Sequence, residues 1–199
     1  HTVMALAKVD HHFTARGRLS LRYSVYTADS ENARGAGGLA TPSASSGLNN
    51  VDQAVAATHT QVLSTRMLNE LRAQITVSDL EAPPSDPVGP AVNIAGIASF
   101  GTLSASPARR ENRMFEVCES VTYQRGAHAF RAGATLLVND DAITFPRARR
   151  GSYAFSSLAN FLTGTYNNQG FTQTFGETAV TQPNHNAGVY AQDEWRIRS

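Results

Sequence analysis

Apolar and polar residues alternate one by one along much of this chain, which is the period of a β-strand and not of a helix. The strongest alternation covers residues 18–26, 68–79, 112–124 and 128–139. Weaker alternation lies near residues 2–12 and 51–63, and a last stretch covers residues 188–197. The pattern predicts about seven strands of roughly ten residues, whereas strands of soluble domains are most often five or six residues long.

The connections between these strands alternate between short and long. Residues 13–18, 64–67 and 125–128 form tight turns, whereas residues 28–50, 81–111 and 142–186 are rich in Gly, Ser, Pro, Asn and Ala and lack periodicity. Loops of this length are unusual in compact domains. One short helix is predicted at residues 156–164, where Ser156 or Ser157 would cap the first turn.

Long two-faced strands with short turns at one end and long loops at the other are typical of a transmembrane β-barrel. In lipid, every backbone N–H and C=O must be paired within the protein, so only helices and closed barrels can span a bilayer. A soluble antiparallel sandwich with one buried face produces the same alternation. The pattern therefore leaves two fold classes open, a segment of an all-β, antiparallel, up-and-down barrel and a sandwich.

Composition narrows the functional class. The chain has seventeen Lys and Arg residues and sixteen Asp and Glu residues. Nucleic-acid-binding proteins normally carry a clustered basic patch, so this charge balance argues against that class. Apolar runs are too short for a transmembrane helix, and the start at His1 without an initiator methionine suggests a fragment. No nucleophile elbow, phosphate loop or metal-ligand spacing occurs, so we expect neither an enzyme nor a cofactor or bound metal. The adjacent His11 and His12 would point to opposite faces of a strand.

Four segments resemble the barrel of TonB-dependent outer-membrane receptors, and within that family the Oar-like receptors with a carboxypeptidase-regulatory-like domain. They are VDHHFTARGRLSLRYSVY (9–26), FEVCESVTYQRGAHAFRAGATL (115–136), GSYAFSSLANFLTGTYNNQGFTQTFG (151–176) and NAGVYAQDEWRI (186–197). The resemblance implies that residues 1–199 are about seven strands of a larger barrel in the bacterial outer membrane, without its plug and N-terminal domains. It also implies uptake of a bulky ligand, with energy from the TonB complex delivered through the plug. Short turns would then be periplasmic and long loops external. A soluble or cell-surface β-sheet module for carbohydrate binding or adhesion is the alternative.

A barrel requires one apolar face toward outer-membrane lipid. The alternation assigns to that face Leu19, Leu21, Tyr23, Ile75, Val77, Phe130, Leu136 and Trp195. Glu119 and Asp193 fall on the same face. This predicts either a β-bulge at these positions or a place near the membrane interface, where a charge costs little. Aromatic residues near strand ends would form the interfacial girdles; they are Phe13, Tyr26, Tyr123, Phe145 and Trp195.

Two loop segments are candidate contacts for an unknown small-molecule, glycan or peptide ligand. Arg147, Arg149 and Arg150 would bind an anionic group, since guanidinium binds phosphate and carboxylate in bidentate fashion; the alternative is a solvated rim paired with Asp140 and Asp141. Tyr166, Asn167 and Asn168 belong to a segment that alternates aromatic and amide residues. Such a segment suits either sugar or peptide recognition, or a loop that packs on itself.

Overall fold

A computed structural model describes residues 1–166 and 170–197 of the chain. In chain order, its strands are β1 (Thr2–Thr14), β2 (Gly17–Arg34), β3 (Ser46–Ser64), β4 (Met67–Ala82), β5 (Ala91–Ile94), β6 (Ala98–Gly101), β7 (Ala108–Arg125), β8 (His128–Thr144), β9 (Ser152–Phe155), β10 (Phe171–Thr172) and β11 (Ala179–Trp195). A 3₁₀ turn at Pro42–Ala44 and the helix α1 (Leu158–Leu162) complete the secondary structure. None of the helices in this part of the chain combines the length and the apolar character needed to cross a bilayer.

Seven long strands form one antiparallel sheet in the order β1-β2-β3-β4-β7-β8-β11. The order follows the chain, so each strand pairs with its neighbour in an up-and-down meander. The sheet does not close, because within the described residues β1 and β11 each pair along one side only. The predicted all-β antiparallel fold and its seven strands are therefore confirmed.

The strands are longer than predicted, at 13 to 19 residues instead of about ten. The additional residues lie mainly next to the long loops, where alternation is weak but backbone pairing continues. The last strand shows the largest difference. It begins at Ala179, nine residues before the predicted start, and it ends at Trp195 rather than at Ile197.

The three long loops are not irregular, which corrects the prediction. β5, β6, β9 and β10 form a second, four-stranded sheet in the order β10-β9-β5-β6, in which β5 and β9 run parallel. The strands come from two different loops, so backbone hydrogen bonds join segments about 60 residues apart in sequence. We call residues 35–45, 83–107, 145–166 and 170–178 the loop cap.

The short helix lies where the sequence places it. Ser157 is its N-cap, with extended backbone geometry and a side-chain oxygen that accepts a hydrogen bond from the backbone N–H of Asn160 at 3.2 Å. This cap satisfies one of the N–H groups that a first helical turn leaves unpaired. The predicted α1 and its serine cap are confirmed.

The core of the described chain lies in the loop cap and at the strand ends beside it. Buried apolar side chains include Ala44, Ile94 and Phe155, and Pro146 is fully enclosed. Away from the cap, Ser120 is the one buried side chain of the seven-stranded sheet within the described residues. The sheet is thus a single layer, and no second sheet covers either face of it in the described residues.

Candidate functional site

The register of the long strands places the predicted apolar set on one face of the sheet. Directly paired residues point to the same side, and the pairs Leu21↔Ala57, Val55↔Ile75 and Val117↔Leu136 carry that face from strand to strand. We call it the apolar face. It also contains Leu19, Tyr23, Val77, Phe130 and Trp195, so all eight residues assigned from the sequence share one surface.

The apolar stretch on this face is shorter than the strands. On β7 it runs from Phe115 to Tyr123, and on β4 from Met67 to Val77. These nine to eleven residues match the roughly 9–11 that a strand tilted by about 45° needs to cross a bilayer. The extra strand length therefore extends beyond the apolar band on the side of the loop cap.

A layer of charged residues ends the apolar band toward the loop cap. Arg109 contacts Asp79 at 3.1 Å, Glu81 at 3.5 Å and Glu111 at 2.7 Å. These carboxylates raise the pKa of the Arg109 guanidinium, with the hydrogen bond that Arg109 donates to Asp79 as the largest cause. The Arg109 cluster therefore marks the edge of the apolar band on the side of the loop cap.

Aromatic and histidine rings line the opposite edge, beside the short turns. His11 packs edge-on against Phe13 with ring centroids 4.6 Å apart, and Phe13 lies 6.5 Å from His59. On β8 and β11, His128 stacks between Phe130 and Trp195 at 5.6 and 5.5 Å. Two predicted girdle residues lie elsewhere. Tyr26 is inside β2 and pairs with Asp52 on the other face, and Phe145 follows the end of β8 in the loop cap.

Asp193 lies within this ring-lined edge. It pairs with Phe130 without any register shift, so the predicted bulge is absent. Its carboxylate lies 2.7 Å from Nδ1 of His128, which gives the charge a hydrogen-bonding partner. The second interpretation from the sequence, a position near the edge of the band, fits Asp193.

Glu119 differs from Asp193. No register shift occurs around it, and it is the middle one of the five β7 residues Phe115, Val117, Glu119, Val121 and Tyr123 on the apolar face. Its side chain is exposed, and Oε1 accepts a hydrogen bond from Nδ2 of Asn69 at 3.0 Å. Neither sequence-based explanation, a bulge or an edge position, applies to Glu119.

The opposite face is polar, and it carries an open groove of about 540 Å³. Lys8, Arg22, Arg72, Glu116 and Cys118 are among the residues that line this groove. We call this the polar face. Uncharged side chains lie between the charges, and Tyr190 covers Gly133, whose missing side chain leaves room for the ring.

Hydrogen bonds connect the first long loop to the second. Thr41 N–H donates to the carbonyl of Ser99 at 2.9 Å, and Ser99 N–H donates to the carbonyl of Leu39 at 2.8 Å. Gly101 N–H donates to Oγ of Ser43 at 3.1 Å. Gly101 has a φ of +78°, and a Cβ there would lie 2.0 Å from the carbonyl oxygen of Pro90, so this position requires glycine.

An aromatic cluster joins the second and third loops. Phe100 packs edge-on against Phe161 at 5.7 Å, and Phe161 packs against Phe155 at 5.2 Å. Tyr166 contacts Tyr153 at 5.6 Å and Phe155 at 6.4 Å, and half of its surface remains exposed. Packing within the loop thus accounts for the position of Tyr166, whereas Asn167 and Asn168 lie outside the described residues.

The three candidate arginines are exposed on the surface of the loop cap. Arg147 lies over the Phe145 ring at 5.3 Å, and the carbonyl of Arg149 accepts a hydrogen bond from Gln173. In the described residues no carboxylate lies within 4 Å of the three guanidinium groups, so the expected pairing with Asp140 and Asp141 is wrong. The acid near Arg150 is Asp86, whose pKa is lowered by the N–H groups of Val88 and Gly89 and, to a lesser extent, by Arg150.

Asp141 instead accepts two hydrogen bonds from Arg110, at 2.9 and 2.8 Å, and these lower the pKa of its carboxyl. A lowered carboxyl pKa stabilises the fold above the ordinary value of about 3.9, and this contribution is lost as pH falls through the folded-state pKa. Because Arg110 is largely exposed, we expect Asp141→Asn to cost less than about 1 kcal/mol at pH 7 and a smaller amount at pH 2, below the ordinary pKa of the carboxyl. Thermal unfolding at the two pH values measures this. Asp140→Asn, a change on the opposite face, is the control, and an equal loss in both variants would contradict the prediction.

Histidine and acidic side chains do not form a metal site in the described part of the chain. No group of three or more His, Cys, Asp or Glu residues converges there. His11 pairs with Leu19 and His12 with Arg18, so the two rings lie on opposite faces. Asp10 contacts Arg18 at 2.9 Å and Lys8 at 3.2 Å.

A comparison with known families gives a match to nearly the whole chain. A family described as "Outer membrane beta barrel domain" matches residues 2–199. Searches of curated proteins and of solved structures gave no significant match. The match agrees with the two-faced meander and decides between the fold classes in favour of the barrel. The chain therefore belongs to the outer-membrane β-barrel domain family and is a membrane-embedded part of a barrel in the bacterial outer membrane.

Proposed function

We propose that this chain forms part of the wall of a TonB-dependent, Oar-like receptor that imports a bulky ligand. The open sheet supports a large barrel, because seven strands leave both edges unpaired in the described residues. Barrels of about 22 strands enclose a plugged lumen and form the transporter size class. In this proposal the plug, which contacts the TonB complex, is supplied elsewhere in the intact protein, and the chain performs no catalysis.

The two faces of the sheet have separate roles in this proposal. The apolar face, which contains Leu19, Leu21, Ile75, Val77 and Leu136, contacts lipid. Tyr23 and Trp195 lie on the same face, and the Tyr23 hydroxyl donates to Oε1 of Gln53 at 2.8 Å, which satisfies its polar tip. The polar face lines the lumen, where the groove bordered by Lys8 and Arg72 faces water or the plug.

The loop cap is the ligand-contacting surface in this proposal. A receptor needs a preorganised surface, because ordering loops on binding reduces affinity. Hydrogen bonds and aromatic packing already order these loops, and they leave Arg147, Arg149, Arg150 and Tyr166 on the surface. None of the three guanidinium groups has a carboxylate within 4 Å in the described residues, so they are available to an anionic group of the ligand. Asn167 and Asn168 stay predicted contacts.

One observation carries this proposal. A band of membrane-spanning height is joined at one end to a folded cap and at the other to two-residue turns. An ordered surface outside the membrane suits capture of a bulky ligand, because loops that are already folded do not have to be ordered on binding.

Uptake by living cells tests the function. A strain that expresses the full-length protein should gain accumulation of a ligand from a panel of iron chelates, cobalamin and glycans, and deletion of TonB should abolish the gain. Replacing the three arginines by glutamine should weaken uptake of anionic members only. Uptake that is unchanged without TonB would contradict the proposal, as would an absence of gain for every member of the panel.

A further inference from the structure

Glu119 occupies an unfavourable position if the apolar face contacts only lipid. Phe115, Val117, Val121 and Tyr123 surround it along β7, and Leu71 and Ala134 are its cross-strand partners. Burying an ionised carboxylate in hydrocarbon is costly unless it is paired and hydrogen-bonded. Polar side chains at such a depth are by default candidates for a functional contact.

The hydrogen bond from Asn69 satisfies only one of the two carboxyl oxygens of Glu119. Nδ2 of Asn69 donates to Oε1 of Glu119 at 3.0 Å, and no further side-chain hydrogen bond to either group occurs in the described residues. The other carboxyl oxygen and the amide oxygen therefore need a partner. Lipid chains offer neither donors nor acceptors.

Closure of the barrel does not supply that partner. Asn69 is on β4 and Glu119 is on β7, and these are the fourth and fifth strands of the seven-stranded sheet. Additional barrel strands pair at the edges, β1 and β11, and so do not cover the apolar face of central strands. The missing partner must approach from the lipid side.

We propose that the Asn69–Glu119 pair is the centre of an in-membrane contact between two copies of this chain. This inference rests on the proposed contact of the apolar face with lipid. A carboxyl and an amide are self-complementary, since each group contains an acceptor and the amide also donates. An isologous interface about a two-fold axis is reciprocal, so a contact between Asn69 of one copy and Glu119 of the other occurs twice and pairs both groups in each copy.

The surface beside the pair permits close approach of a second wall. Ala73 lies on one side and Ala132 and Ala134 on the other, all on the apolar face. Small residues let backbones approach closely in membranes, where packing and hydrogen bonds drive association in place of the hydrophobic effect. The contact therefore combines a flat surface with a central polar pair.

Cross-linking of the full-length protein in native outer membranes tests this inference. Val117→Cys, beside Glu119, should form dimers with a short bis-maleimide when Cys118 is replaced by serine, whereas Leu21→Cys on the same face should not. Adding Glu119→Leu to Val117→Cys should reduce the dimer about tenfold, because the polar contact is lost from both copies. Adding Glu119→Gln should retain most of it. Heat-dependent gel mobility confirms that each variant folds.

A nitroxide at Leu21→Cys separates the two proposals. If the label is reached by a lipid-soluble relaxing agent but Val117→Cys yields no more dimer than Leu21→Cys, the dimer proposal is overturned and the lipid-facing assignment stands. If the label is shielded from lipid, the lipid-facing assignment fails, and the dimer proposal fails with it. Cross-linking to a different protein, or a dimer yield that Glu119→Leu leaves unchanged, would also overturn the dimer proposal.

Discussion

Phe155→Ala is expected to destabilise the loop cap by about 3 kcal/mol or more, within the range measured for buried Phe→Ala changes. Phe155 retains only 8% of its surface and packs against Phe161 on one side and Tyr166 on another. The truncation would leave a cavity where β9 meets α1. Limited proteolysis of the folded protein should then cut the long loops much faster, while the short turns stay protected.

Phe175→Ala is the matched control for this change. Phe175 belongs to the same loop but is 80% exposed, so its removal should leave the cleavage rate nearly unchanged. If Phe155→Ala is cleaved no faster than Phe175→Ala, the loops do not depend on a shared core. Ligand uptake should fall in parallel with cap stability if the cap is the binding surface.

Leu136→Arg is expected to lower the stability of the membrane-inserted barrel by about 2 kcal/mol, because a cation on the lipid face is costly away from the interface. Leu136 is on the apolar face of β8, paired with Val117 and Ala187. Denaturant unfolding of the full-length protein in lipid bilayers measures the change. The effect should appear as a shift in the midpoint at constant slope.

Thr135→Arg provides the comparison at almost the same depth. Thr135 is one residue away, on the polar face, and pairs with Cys118 and Gly188, which carry no charge. An arginine there faces the lumen, so the cost should stay below about 1 kcal/mol, as for a substitution that water can solvate. Equal losses for the two variants would show that the faces are assigned wrongly, whatever the size of the barrel.

The alternation of side chains determined the faces of this sheet before any contact was known. A strand places successive side chains on opposite sides, so the apolar face through Leu21, Ile75 and Leu136 follows from local geometry. The three tight turns follow for the same reason, since a short polar interruption between two alternating stretches leaves room only for a hairpin. The family match then identified the two-faced sheet as part of a membrane barrel.

The long loops were not predictable in this way. β5 and β9 pair in parallel although they belong to different loops, and the pairing depends on backbone groups that every residue carries. Gly101 is an example. It must be glycine because the carbonyl oxygen of Pro90 lies close to it, and that approach arises only when β5 and β6 pair. A short strand of four residues has too few positions for alternation to stand out from chance.

The charged residues show the same difference between what the sequence predicts and what the tertiary structure decides. The sequence placed Asp193 and Glu119 on the apolar face and gave both the same explanations. Only the tertiary structure distinguished them, because His128 reaches Asp193 from the neighbouring strand, whereas Glu119 has a single amide partner in the centre of the band. The pairing of Asp141 with Arg110 was likewise missed, since a cross-strand partner depends on register.

The sequence by itself determined which residues share a face and where the chain reverses, because both depend on a repeat of two residues along one strand. The tertiary structure decided which loops join, which charges find partners and how far each strand extends. These depend on contacts between residues far apart in the chain. Residues 188–197 illustrate both, since their alternation predicted a strand, but only the register placed Tyr190 over Gly133 and Trp195 beside His128.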